Sequence, residues 1–138
     1  MSELLFQKSF NAETEQLKYL RDWVRESAAQ RAFAPERIDQ MVIGVNEACM
    51  NIIEHGYAKQ GGEILFEVFS DQEYLIFQLT DSACTVDCST IKSRELDDIR
   101  PGGLGVHFIQ EVMDKVEYLP GKGGCGNIIR MSAKPRLK

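Results

Sequence analysis

The chain has 138 residues, a net charge of −5 and ordinary apolar and charged fractions of 43% and 27%. This length suits one domain with a real core, and the acidic balance argues against a nucleic-acid-binding protein. No run of about 18 apolar residues predicts a membrane span, and the first ten residues, MSELLFQKSF, do not resemble a secretory signal. We therefore expect a cytoplasmic protein.

The first elements in chain order are a weakly alternating edge strand over Leu4 to Phe10 and a helix from Ala12 to about Gln30. Asn11 is a candidate N-cap for that helix. Pro35 occupies a favoured first helical position, so a second helix is predicted from there to about Glu54, ending near Gly56.

The rest of the chain predicts strands around one more helix. Glu63 to Ser70 and Tyr74 to Thr80 alternate and are joined by a turn short enough for a hairpin. A polar stretch from 82 to 103 is a candidate lid or binding loop. A helix over Leu104 to Met113 and a closing hairpin of Val116–Leu119 and Asn127–Ala133 follow. The order β-α-α-β-β-loop-α-β-β predicts a single-domain α+β two-layer sandwich over residues 1–138, with a mostly antiparallel sheet covered on one face by helices.

The second helix carries the most informative pattern. Glu47, Asn51 and His55 are spaced four apart and so lie on one side of it, roughly opposite the apolar Ile38, Met41, Val42, Val45, Cys49 and Ile52. A carboxylate and an amide one turn apart can accept a proton and hold a magnesium ion. Spacing alone also fits a solvated helix face, and His55 fits a helix-end capping role better than a catalytic base.

Two further positions admit a functional and a structural interpretation. The cluster Gly102-Gly103-Leu104-Gly105 before a helix suits close approach to phosphate but also an ordinary hinge. It does not follow a strand, which excludes a Rossmann fingerprint. Asp81 ends a strand, where its carboxylate can accept a hydrogen bond from an exocyclic amine such as that of adenine, or simply end the strand in a turn.

Four cysteines are present, and no pair of them forms a C-x-x-C motif; they are Cys49, Cys84, Cys88 and Cys125. Cys84, Cys88 and Cys125 lack a fourth zinc ligand at the usual spacing. Reduced thiols, some packed in the core, are the favoured interpretation, with a redox role for Cys84 and Cys88 left open. Three cations of the long loop, Lys92, Arg94 and Arg100, either neutralise phosphate charge or are solvated.

In this order the signals resemble the GHKL (Bergerat-fold) ATPase superfamily, and more narrowly the anti-sigma factor serine/threonine kinases. The segment from Asn46 to Tyr57, NEACMNIIEHGY, matches the family's E-A-x-x-N-x-x-x-H-[GA]-Y box. Gly103-Leu104-Gly105 with the helix after it matches the second glycine box, and Gly126 to Met131 matches the closing strand.

The resemblance implies a kinase that transfers the γ-phosphoryl group of Mg-ATP to an anti-sigma factor antagonist (a STAS-type protein) and sequesters a sigma factor as a homodimer. It implies that Glu47 is the general base, that Asn51 holds Mg²⁺ and that Asp81 binds the adenine amine. It also implies that Ala83 contacts the nucleotide and that a lid of residues 84 to 102 covers the site. The phosphates would be bound by a segment that comprises Gly103, Leu104, Gly105 and Val106.

One position departs from the family pattern. The usual motif is D-x-G, whereas this chain has Asp81-Ser82-Ala83. The methyl group of Ala83 narrows the space beside the base and disfavours a positive φ. A non-catalytic or weakly nucleotide-binding module that regulates by binding a partner is therefore the alternative. The ATPase half of a sensor histidine kinase fits less well, because the chain has no dimerisation helix pair.

Overall fold

Five antiparallel strands and the helices on one face of them make up the described part of the chain. The computed structural model describes residues 2–56, 62–82, 108–120 and 126–135. The strands are β1 (Ser2–Asn11), β2 (Glu63–Asp71), β3 (Tyr74–Asp81), β4 (Lys115–Pro120) and β5 (Asn127–Ala133). The helices are α1 (Leu17–Ala29), preceded by a 3₁₀ turn at Thr14–Gln16, and α2 (Pro35–Asn51), followed by a π-helical turn at Ile52–Gly56.

The strands pair in the order β1-β2-β3-β5-β4, all antiparallel. The predicted α+β two-layer fold with a mostly antiparallel sheet is thus confirmed, and β1 is an edge strand as expected. The closing strand β5 lies inside the sheet, between β3 and β4. The edge position of β1 also fits its β-bulge between Leu4 and Phe6.

Alternation along the strands divides the sheet into two faces. In β3, Leu75, Phe77 and Leu79 are buried on the inner face, the face toward the helices, and Ile64, Phe66 and Val68 do the same in β2. Because neighbouring side chains of a strand point to opposite faces, the residues between them form the outer face.

α1 packs on the sheet through an aromatic cluster. Trp23 stacks on Phe66 with ring centroids 6.1 Å apart and also contacts Phe6 and Phe10 of β1. On the same side of α1 the apolar Leu20 and Val24 are fully buried. These contacts join the N-terminal edge of the sheet to the helical layer.

α2 buries the predicted apolar side: Met41, Val42, Val45, Cys49 and Ile52 are all buried, and Ile38 packs against the core. A short helical segment over 108–112 buries Ile109 and Val112 in the same core, and Met113 directly after it lies beside α2, where a Cβ built on Gly44 would be 3.7 Å from Met113 Cε. The described part of the predicted third helix is therefore in the helical layer too.

The first turn of α2 is anchored to the far edge of the sheet. Arg37 Nη2 donates to Asp114 Oδ2 over 2.7 Å, and the Lys134 backbone N–H donates to the same oxygen over 2.9 Å. The side chains of Arg37 and Asp114 are only 14% and 15% exposed. This buried pair ties the start of α2 to the residue before β4.

One detail contradicts the sequence prediction, and two others were not predicted. Asn11 is not an N-cap, because it ends β1 in register with Glu63; the chain becomes helical only after Glu13. The hairpin turn between β2 and β3 places Gln72 at a φ of 54°, an unusual value for a side chain other than glycine. The end of the second helix widens into a π-helical turn after Asn51.

A search of the described helices found none long and apolar enough to cross a membrane.

Candidate functional site

The C-terminal half of α2 carries Glu47 and Asn51 on one side. Both side chains are half-buried, whereas Ala48 and Cys49 between them are buried in the core. The apolar contacts fix the rotation of the helix, so the acid and the amide emerge together beside the core. The π-helical turn begins directly after Asn51; such wide turns occur frequently at functional sites.

Cys49 belongs to the opposite side of the same helix. Burial raises the pKa of its thiol to about 12, so the group stays protonated near neutral pH. A neutral buried thiol is a packing group and a poor nucleophile. It is the free cysteine of the described residues, which agrees with the interpretation of reduced, packed thiols at this position.

Asp81 is the last residue of β3 and lies on the inner face, where the alternation of that strand would otherwise place an apolar side chain. It is 5% exposed. Asn127 Nδ2 lies 3.5 Å from Asp81 Oδ1, and the two residues are register partners across β3 and β5. A buried carboxylate needs hydrogen-bond partners, and a donor amine is a suitable one.

The backbone beside Asp81 is packed around a glycine. Gly126 has a φ of 84°, and a Cβ built on it would lie 2.2 Å from the Asp81 carbonyl oxygen. No side chain fits in that space without moving the strand end. Gly126 therefore lets β5 approach closely enough for Asn127 to reach the carboxylate.

The start of α2 lies near the end of the sheet opposite to Asp81. Arg37 in its first turn donates to Asp114, whose backbone N–H donates to Ser132 O near the start of β3. Asp81 is the last residue of β3, and Glu47 and Asn51 lie in the C-terminal part of α2.

Several predicted site residues lie outside the described residues: Ala83, Gly103, Leu104, Gly105 and Val106, the lid from 84 to 102 with its cations, and Cys84, Cys88 and Cys125. The side chain of His55 is outside them too. The described part of the site is the helix side with Glu47 and Asn51 and the strand end with Asp81.

The sequence analysis missed the roles of Gly126 and Asn127 beside Asp81, although the closing strand itself was predicted. A glycine directly before a strand is a signal for close backbone approach, but the partner could not be named without the strand order. It also missed Arg21, whose Nη1 donates to Asn46 Oδ1 over 3.0 Å and links α1 to the residue before Glu47.

The donor set suits magnesium that is bound mainly through phosphate oxygens. Among the described residues, no group of three or more His, Cys, Asp and Glu side chains is placed to hold a metal ion. Asn51 offers one neutral oxygen, and Mg²⁺ in nucleotide sites commonly takes one or two protein oxygens beside phosphates and water. The amide and carboxylate oxygens of α2 have the right chemistry for that role.

Comparison with known proteins shows which family the chain belongs to. The chain is 28% identical to the Serine-protein kinase RsbW of Bacillus cereus (strain G9842), with 81% of this chain and 75% of the relative covered. It is 27% identical to the protein of the same name in Bacillus mycoides (strain KBAB4) and 26% identical to that of Bacillus thuringiensis (strain Al Hakam), with the same coverage. The family description "Histidine kinase-like ATPase domain" matches residues 10–133. The chain therefore belongs to the histidine kinase-like ATPase domain family.

Proposed function

We propose that this protein is an ATP-dependent serine/threonine kinase and anti-sigma factor. It transfers the γ-phosphoryl group of Mg-ATP to an anti-sigma factor antagonist of the STAS type and sequesters a sigma factor. It acts in the cytoplasm as a homodimer of single-domain subunits. The observation that supports the proposal is that Glu47 and Asn51 are both half-buried, one helical turn apart on α2, while the carboxylate of Asp81 is buried at the end of β3. The relatives, named serine-protein kinases, support the same chemistry.

Glu47 acts as the general base. Its carboxylate accepts the proton of a serine or threonine hydroxyl on the partner as that oxygen bonds to the γ-phosphorus. The bond from the γ-phosphorus to the bridging oxygen breaks, and ADP leaves with that electron pair. A carboxylate held on a packed helix keeps its position for this transfer, because Ala48 and Cys49, the two residues after it, are buried.

Asn51 and Asp81 bind and orient the nucleotide. The Asn51 amide oxygen is a ligand for Mg²⁺, whose charge offsets that of the phosphates. The Asp81 carboxylate accepts a hydrogen bond from the exocyclic amine of adenine. Ala83 contacts the base, and the segment Gly103–Val106 contacts the phosphates through its backbone.

A second candidate is a regulator that binds its partner without catalysis. Ala83 in place of glycine favours it, because an added methyl group beside the base weakens nucleotide binding. Glu47 and Asn51 favour the kinase, since a module that only binds a partner has no chemical use for both.

Isothermal titration calorimetry separates the two candidates. The kinase requires heat of binding with Mg-ATP, a weaker signal when magnesium is removed, and loss of the signal in Asp81→Asn. Absence of heat with the wild-type protein at millimolar Mg-ATP contradicts the kinase and leaves the binding module. Where Mg-ATP binds, transfer of labelled phosphate to a purified STAS-type protein tests the second half of the proposal.

A further inference from the structure

A cavity of about 330 Å³ opens at the end of the sheet opposite to Asp81. It lies between the connection from α1 to α2 and the β2–β3 hairpin, and Pro135 after β5 also lines it. A volume of this size is typical of pockets that bind ligands. Tyr74, another lining residue, is at the other end of β3 from Asp81, about 24 Å away. None of the residues that line the cavity belongs to the candidate nucleotide site.

Part of the lining is apolar and firmly held. We call Phe33, Leu75 and Pro135 the apolar wall. Phe33 is buried, and the Arg37 guanidinium lies 5.9 Å from its ring centroid. Arg37 is itself fixed by its buried ion pair with Asp114. A preformed apolar wall of this kind accepts an apolar side chain without a further cost of ordering the protein.

The hairpin on the other side of the cavity has an unusual backbone conformation. Gln72 lines the cavity and has a φ of 54°, which is uncommon for a residue other than glycine. It directly precedes Glu73 and Tyr74, so its conformation determines where these two lining residues lie. Backbone positions of this kind are found frequently at binding sites.

Two lysine ammonium groups lie over the ring of Tyr74. Lys115 Nζ is 5.6 Å and Lys134 Nζ is 5.9 Å from the ring centroid. Among the described residues neither ammonium group forms an ion pair with a carboxylate. A contact with an aromatic ring leaves the ammonium charge in place. Both groups are therefore able to bind a carboxylate from another molecule.

Arg31, an exposed lining residue on the α1–α2 connection, adds a third cation. We call Arg31, Lys115 and Lys134 the basic rim. Glu73 is the acid among the described lining residues. Asp71, the register partner of Tyr74, already has an interaction partner. In a chain with a net charge of −5, three cations thus lie around one apolar cavity.

We propose that this cavity binds an acidic protein segment, an extended stretch in which an apolar side chain is flanked by Asp or Glu residues. The apolar side chain contacts the apolar wall, and the neighbouring carboxylates pair with the basic rim. The segment belongs to a partner protein and does not use the nucleotide site. The proposal is therefore independent of the proposed kinase activity and gives the protein a second binding site.

Charge argues against two other occupants. The residues that follow Pro135 are Arg136, Leu137 and Lys138, which would place two more cations at the basic rim. A nucleic acid is bound through a longer stretch of cations than these three, on a domain that is basic rather than acidic. An acidic segment with an apolar residue satisfies both the wall and the rim.

Titration of the ¹⁵N-labelled protein with the peptide acetyl-EELEE-amide, followed by NMR, tests the proposal. We expect shifts of the backbone amides of Arg31, Phe33 and Tyr74, unchanged amides of Glu47 and Asn51, and a dissociation constant of about 0.1–1 mM. The peptide EESEE keeps the charge without the apolar side chain and is expected to bind about fivefold more weakly or less. The basic peptide KKLKK is expected not to bind.

Reversal of the basic rim provides the matched variants. Lys115→Glu combined with Lys134→Glu is expected to raise the dissociation constant of EELEE about tenfold or more. Lys18→Glu is the control and is expected to leave it unchanged, because Lys18 Nζ also lies over a tyrosine ring, that of Tyr19, at 5.2 Å on α1. If the double variant fails to fold, Arg31→Glu on the exposed connection takes its place, with an expected increase of about threefold or more.

Absence of EELEE binding at millimolar peptide overturns the proposal. Equal binding of EELEE and EESEE, or an equal loss in Lys18→Glu, shows attraction without the cavity and overturns it too. Binding that occurs only after removal of residues 136–138 assigns the cavity to that segment and rejects the acidic partner. Calorimetry with Mg-ATP keeps the two proposals apart, because absence of nucleotide binding in the wild-type protein rejects the kinase and leaves the peptide titration unchanged.

Discussion

Gly126 and Asp81 are packed backbone against backbone, with the position of a Cβ on the glycine only 2.2 Å from the aspartate carbonyl oxygen. The glycine has a φ of 84° at the same point, a value that L-residues rarely adopt. The end of β3 that holds the buried carboxylate is thus shaped by a residue with no side chain, 45 positions further along the chain.

Gly126→Ala is expected to destabilise the protein by about 2 kcal/mol or more, because alanine is strained at this φ and its methyl group meets backbone. Urea unfolding gives the change. Gly44→Ala is the matched control, since its Cβ would make only an ordinary 3.7 Å contact with Met113 Cε. In the interior of α2 it is expected to be neutral or to stabilise by up to about 1 kcal/mol. Equal losses in the two variants would contradict this account of Gly126.

Glu47→Gln is expected to lower phosphoryl transfer about 100-fold or more while the affinity for Mg-ATP changes little, because the amide keeps the shape but cannot take the proton. Single-turnover transfer of labelled phosphate and calorimetry measure the two effects separately. Glu36→Gln, the same change in the exposed first turn of α2, is the control and is expected to have no effect. Full activity of Glu47→Gln would remove Glu47 as the base.

Asn51→Ala is expected to weaken Mg-ATP binding about tenfold or more, since it removes an oxygen that holds the metal. Binding of ATP without magnesium is expected to change less. Asn46→Ala is the control on the same helix, because Asn46 accepts from Arg21 of α1 instead. A change of the same size with and without magnesium would show that Asn51 does not act through the metal.

Asp114→Asn is expected to lower the free energy of unfolding by about 3 kcal/mol. The reason is that the Arg37 side chain, which is only 14% exposed, loses its counter-charge. Asp39→Asn removes an ion pair of the same 2.7 Å length, Arg25–Asp39, whose side chains are 52% and 62% exposed. That loss is expected to stay below about 1 kcal/mol. Chemical denaturation of both variants compares a buried with an exposed pair at equal distance.

The burial of Cys49 predicts that the free energy of unfolding falls at alkaline pH. Its pKa of about 12 in the folded protein lies above that of an unfolded thiol, so only the unfolded chain releases the proton between the two values. Stability from this group is complete below about pH 8.5 and falls above it by up to about 1.4 kcal/mol per pH unit. The slope of unfolding free energy against pH from about 9 to 11 is expected to be shallower in Cys49→Ala, where the other titrating groups are unchanged.

Local patterns predicted most of the fold. Alternation located β2, β3 and β5, the apolar period predicted which side of α2 is buried, and Pro35 marked its start. These features depend on neighbours within a few residues. Asn11 was misjudged because pairing with Glu63, 52 residues away, extends β1 past the residue that would have capped a helix.

The non-local features could not be predicted in this way. The insertion of β5 between β3 and β4 depends on the whole sheet, and it alone brings Asn127 and Gly126 to Asp81 and Arg130 to Gln78. The spacing of Glu47 and Asn51 predicts that they share one side of α2, but their partial burial depends on how α2 packs. The π-helical turn after Asn51 has no clear signal in the residues that form it.

Because Cys49 is completely buried, the reactivity of its thiol reports local opening of the helix that carries Glu47 and Asn51. A thiol reagent reaches this sulfur only when α2 separates from the sheet, so its labelling rate in the native protein counts those openings. A ligand that stabilises the packing of α2 on the sheet lowers the rate of labelling. This change in rate can be measured without knowing the partner protein.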